Sequence, residues 1–152
     1  MDYHHKQLGF VLISVFVIVF LFLVDLLVLS IIFWHDQVPA FANALLIIAT
    51  LAVVVLAVLF SSMTIAINDG ELIWHFSLGF WKNRIPLHHI AACAPVQNKW
   101  WYGWGIHRVA GGWLYNVSGF EAAELRLTDG RLIRLGSDEV GKLIAAIDSA
   151  RG

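Results

Sequence analysis

An antiparallel hairpin of two transmembrane helices carrying a small α+β, mainly β domain is the fold class this sequence predicts. Three observations predict it. Of the 152 residues, 59% are hydrophobic and 14% charged, where soluble domains run at roughly 45–50% and about 25%. The apolar excess lies ahead of residue 61: positions 8–33 hold one charge, Asp25, and positions 40–60 hold none. Beyond residue 61 the pattern changes to short alternating runs, rich in β-branched and aromatic residues and cut by turn signals.

About 20 apolar residues cross a bilayer, so 8–33 and 40–60 are each long enough to be a helix that does so. The first also far exceeds the roughly 7–15 apolar residues of a cleaved signal peptide. The connection, 34–39, is too short for anything but a reversal, which makes residues 1–60 a hairpin with both ends on one side. That connection has no Lys or Arg, whereas Lys6 precedes the first helix and every other basic residue follows the second. Positive residues stay inside, so the N-terminus and the domain formed by 61–152 are expected in the cytoplasm, with Trp34 anchoring the far interface.

Asp25 lies nine residues before Trp34, about 13 Å along a helix and so within hydrocarbon. An ionised carboxylate there costs about 2.5–3.5 kcal/mol on insertion scales, so Asp25 is expected to be neutral or hydrogen-bonded and to face protein; the alternative is that the first helix, roughly 39 Å long against a core of about 30 Å, slides and brings Asp25 towards an interface. On the antiparallel helix Thr50 falls near its level, and Asn43 falls level with Ser30. Asn43, Thr50 and Ala57 recur every seven residues as a narrow small-and-polar seam suited to helix contact.

In the domain, runs at 63–68 and 71–77 flank Asp69-Gly70, and runs at 121–127 and 131–135 flank Asp129-Gly130. Asp-Gly between alternating runs is a strong hairpin signal. Segments 81–85 and 90–96 read as strands with Pro86 and Pro95 at their margins, and further strands are expected near Ile106 and Leu114. Ser137 can cap a last helix whose first turn carries Asp138 and Glu139 and whose apolar residues Val140, Leu143, Ile144 and Ile147 recur at helical spacing. About seven short strands followed by an amphipathic helix suggest a barrel or sandwich plugged at one end by that helix.

Several ordered motifs carry a resemblance: Gly103-Trp104-Gly105-Ile106, Gly112 to Gly119 reading GWLYNVSG, Asp129-Gly130-Arg131 and Leu135-Gly136-Ser137-Asp138. Over roughly 61–152 the chain resembles bacterial pleckstrin-homology-like (PH-like) domain membrane proteins, many of which have apolar spans before the domain. The resemblance implies a PH-like barrel with a C-terminal helix, often oligomeric and without known catalysis, at a bacterial inner membrane. One departure is His107, where an Arg tends to follow the Gly-Trp-Gly-Ile run; Arg108 is adjacent.

The chemistry is sparse. No nucleophile–base pair, metal cluster or phosphate loop stands out, so no catalytic residue and no cofactor is expected. Adjacent His4-His5 and His88-His89 point to opposite faces of a strand and do not readily share an ion, and the single Cys93 excludes an intrachain disulfide. Residues 61–152 carry nine Lys and Arg against eight Asp and Glu, which lacks the clustered basic footprint of nucleic-acid binding. Asp69 and Glu71 at the first hairpin turn repel a phosphate head group, which argues against specific phosphoinositide binding. Asn116-Val117-Ser118 fits a glycosylation acceptor but reads better as a turn.

What remains is the aromatic segment 99–115. Consecutive Trp100 and Trp101 on a strand would face opposite sides, leaving at least one outside a barrel beside Lys99 and Arg108. Trp100, Trp101, Tyr102, Trp104, Arg108 and Trp113 therefore form the expected partner-binding surface. The expected function is a non-catalytic, bilayer-anchored interaction or assembly module that binds a membrane-protein partner or its own copies. The alternative is binding of lipid or a small ligand at the membrane surface.

Overall fold

In a computed structural model, residues 3–34 and 36–152 are described; Met1, Asp2 and His35, the last in the expected reversal, lie outside them. The described chain forms nine strands and three α-helices: β1 (Tyr3–Leu8), α1 (Phe10–Phe33), α2 (Ala40–Leu59), β2 (Ser62–Asn68), β3 (Glu71–Phe76), β4 (Asn83–Pro86), β5 (Ile90–Gln97), β6 (Gly105–Val109), β7 (Gly112–Asn116), β8 (Glu121–Leu127), β9 (Leu132–Gly136) and α3 (Val140–Arg151). Helices α1 and α2 are long and apolar enough to cross a membrane and pack side by side.

The expected first helix over 8–33 begins only at Phe10, because Tyr3–Leu8 is a strand whose residues pair antiparallel with β2, from Tyr3 opposite Ile67 to Leu8 opposite Ser62. The chain leaves this strand at Gly9, whose backbone N–H donates to the Ser61 carbonyl. A Cβ at Gly9 would meet the Phe60 carbonyl oxygen at 3.0 Å and Val117 at 3.1 Å. The start of α1 and the end of α2 are thereby clamped together by the sheet.

Two sheets make the domain, ordered β1-β2-β3-β4 and β5-β8-β9-β7-β6. The β2–β3 turn takes positive φ at both Asp69 and Gly70, the twist a two-residue hairpin needs. The β8–β9 turn is longer, with Gly130 N–H on the Leu127 carbonyl and positive φ at Gly130 but not at Asp129, so the similar sequences of the two turns do not give the same geometry. All pairings are antiparallel except β7 with β9. That parallel pair is close: a Cβ on Gly112 would lie 1.7 Å from the Leu132 carbonyl oxygen.

The core is contributed by both sheets, Met63, Ile65, Trp74 and Phe76 from one and Tyr115, Leu125 and Leu135 from the other, and by Val140, Leu143 and Ile147 of α3. The helix stripe predicted from spacing is the one that docks. Ser137 accepts the Glu139 N–H through its hydroxyl, holding the turn that leads into α3. The sheets do not close into a barrel: strands β4 and β6 are edges, and a seam between them stays open.

Candidate interaction surfaces

The aromatic segment is built differently from the expected strand. After β5, the Asn98 N–H donates to the Phe120 carbonyl and the chain enters a single 3-10 turn, Trp100–Tyr102, left through Gly103 at positive φ. The His107 imidazole donates to the Trp104 carbonyl and holds this turn against β6. Because the residues turn rather than extend, both tryptophans project outward, Trp100 73% and Trp101 60% exposed. Their rings meet edge to face at 5.8 Å, and Lys99 Nζ lies 5.1 Å above Trp101. Tyr102 turns inward under the Arg134 guanidinium, which is bonded to Glu124 at 2.8 Å and also donates to Asn98. The two exposed rings thus stand on a polar, cross-linked base.

The other three expected residues separate from this group. Trp104 packs on Phe120 at 5.9 Å and donates its indole N–H to the Gly119 carbonyl. Arg108 and Trp113 are register partners at the far end of the β6–β7 hairpin, the guanidinium 5.2 Å from the indole centroid. Val109 and Gly112 close that hairpin, so Arg108 is about 13 Å along the strand from Trp104. The segment therefore presents two surfaces rather than one. Asn116 of the sequon is buried and accepts the Ser118 N–H with its side chain, an Asx turn as expected.

Between the helices, the Ser30 hydroxyl donates to Asn43 Oδ1 at 2.6 Å, as their expected level implies. Asn43, Thr50 and Ala57 lie on the half-buried side of α2. Thr50, however, donates to the Leu46 carbonyl of its own helix and does not meet Asp25. Five residues separate Asp25 from Ser30, about 140° around the helix, so Asp25 falls on the exposed face of α1, away from α2. The expectation that it faces protein is not met within one chain, since Ser30 and not Asp25 takes the position opposite α2.

A further surface was not legible in the sequence. Residues 81–85 read as a strand, but the strand starts at Asn83, and the preceding loop holds Leu78 and Trp81 at positive φ. Leu78 is 83% and Trp81 54% exposed. The loop lies where α2 ends, Phe80 and Phe76 stacking on Phe60 at 5.5 and 4.9 Å. Leucine and tryptophan at positive φ are unusual; the glycine between them gave the only sequence hint of a turn.

His88 and His89 occupy a 3-10 turn, Leu87–His89, with rings 4.4 Å apart. Among the described residues no group of three or more His, Cys, Asp or Glu could hold a metal ion. No protein-family model, curated protein or solved structure matches the chain.

Proposed function

We propose that this chain is a membrane-anchored, non-catalytic interaction or assembly module, with α1 and α2 across a bacterial inner membrane and the domain on the cytoplasmic side. Asp25 carries the reading. It is the one charged residue of α1 and stands on its exposed face, where lipid solvates a carboxylate poorly. A neighbouring helix, from a membrane-protein partner or a second copy, that offers a donor or a cation there removes that cost. The Trp100–Trp101 pair adds a second contact outside the bilayer, since rigid exposed aromatics beside a lysine have the make-up of interface hot spots.

The PH-like reading of the domain belongs to the same proposal. Two sheets face each other with α3 packed against β5 and β8, and strands β5, β8 and β9 lie side by side, each antiparallel to its neighbour. Hairpin β6–β7 is an addition outside β9, which accounts for the one parallel pairing.

Affinity purification in mild detergent followed by mass spectrometry tests the function. The expected result is a stoichiometric membrane-protein partner or self-association with the wild-type chain, lost with Asp25→Leu and weakened by Trp100→Ala or Trp101→Ala. Association that all three variants retain, or a chain that brings down lipid and no protein, would move the function to the alternative, lipid or ligand binding.

A further inference from the structure

The open seam between the sheets forms a cleft of about 540 Å³. Its walls come from β3 and β4 on one side and from β6, β7 and β9 on the other. Three arginines line it, Arg84, Arg108 and Arg131, and no lining residue is acidic. Two of the three have carboxylate neighbours outside the cleft, Arg131 with Asp129 at 2.7 Å and Arg84 more loosely with Glu71 at 3.8 Å. Arg108 rests on the Trp113 ring, an arrangement that fixes its plane and leaves its N–H donors free.

The cleft wall adds an independent observation. Trp74 is almost fully buried, and its indole Nε1 has no hydrogen-bond partner, although buried donors are nearly always satisfied. Gly111 and Gly112 make the enclosure possible, because side chains there would strike Leu132 and push the Arg108–Trp113 hairpin off the seam. From the three guanidiniums and the unsatisfied indole donor we infer that this cleft binds a phosphate group, either free or on a lipid head group. Planar guanidiniums pair with phosphate oxygens through two hydrogen bonds each, and a tetrahedral anion can engage several at once. Of the two carboxylates at the Asp69-Gly70 turn, Asp69 does not line the cleft and Glu71 reaches it only as the loose partner of Arg84; the site does not rest on the partner-binding reading.

Calorimetric titration of the full chain in maltoside micelles, which contain no phosphate, tests the site, with chloride at equal ionic strength as reference. Inorganic phosphate and short-chain phosphatidylglycerol are the two probes. Saturable binding of inorganic phosphate marks a free anion as the ligand, and binding of phosphatidylglycerol alone marks the lipid head group. In either case Arg108→Gln weakens binding at least tenfold, and Trp74→Phe, which keeps an aromatic ring in the core but removes the indole donor, weakens it severalfold. Arg131→Gln, at an exposed turn outside the core, also weakens binding, with an unchanged melting midpoint separating this loss from misfolding. No saturable binding of either probe, or binding that the arginine variants leave unchanged, overturns the inference.

Discussion

Cys93 lies half-buried on β5, and burial, with the Asp148 carboxylate nearby, pushes its thiol from 9.0 up to about 11. The thiolate is the reactive species. At pH 8 alkylation by iodoacetamide should therefore run about a hundredfold slower in the folded chain than in the unfolded one, two units of ionisation apart. The same shift fixes a sign: a thiol held protonated in the fold contributes stability in full below pH 9 and loses it as the pH climbs through 11, so thermal melts should fall over that window and recover in Cys93→Ala. In the hairpin, the Ser30–Asn43 bond should give a coupling of about 0.6–1.7 kcal/mol in a double-mutant cycle of Ser30→Ala and Asn43→Ala, read from unfolding in detergent. Zero coupling would mean that the helices do not rely on it. Asn43 and Ser30 were legible because depth follows from residue count alone. The side on which Asp25 stands was not, since α1 is apolar all round and its sequence has no stripe to show which face meets α2.

Element by element, legibility followed the strength of local periodicity. Helix α3 has a polar face and a clear stripe, and its docking residue Leu143 is fully buried. Leu143→Ala should lower domain stability by about 2–5 kcal/mol, while Lys142→Ala, at an exposed site, should leave the melting midpoint nearly unchanged. Strand β1 was invisible because His4, His5, Lys6 and Gln7 give no apolar alternation. Its pairing with β2 is set by the backbone ladder and by His5, whose ring meets Asp138 across the start of α3. The β7–β9 pairing was equally hidden, being a long-range contact that depends on the missing side chain of Gly112. The loop between β3 and β4 makes its own prediction. With α2 in a bilayer, Leu78 and Trp81 meet the head-group layer. An environment-sensitive dye on Leu78→Cys, in a Cys93→Ser background, should shift to the blue on transfer from micelles to nanodiscs whereas one on Lys142→Cys should not. Equal behaviour of the two dyes would place the loop in water.

For the molecule as a whole, a reporter active only in the cytoplasm and fused after Gly152 should be active, because the basic residues lie at and beyond the domain end of the hairpin. An active periplasmic reporter would invert the arrangement. The strand that pairs with β2 also fixes an order of events during synthesis. Tyr3–Leu8 leaves the ribosome ahead of its partner Ser62–Asn68, which follows only after both long helices have been made. Until then β1 has no ladder to join, and the first sheet cannot be completed. Formation of the β1–β2 ladder therefore reports that the hairpin has reversed and brought its two ends together. With α1 and α2 in a bilayer, a chain whose second helix fails to insert would hold β1 and β2 on opposite sides of the membrane, leaving the first sheet without its edge strand for quality-control proteases to find.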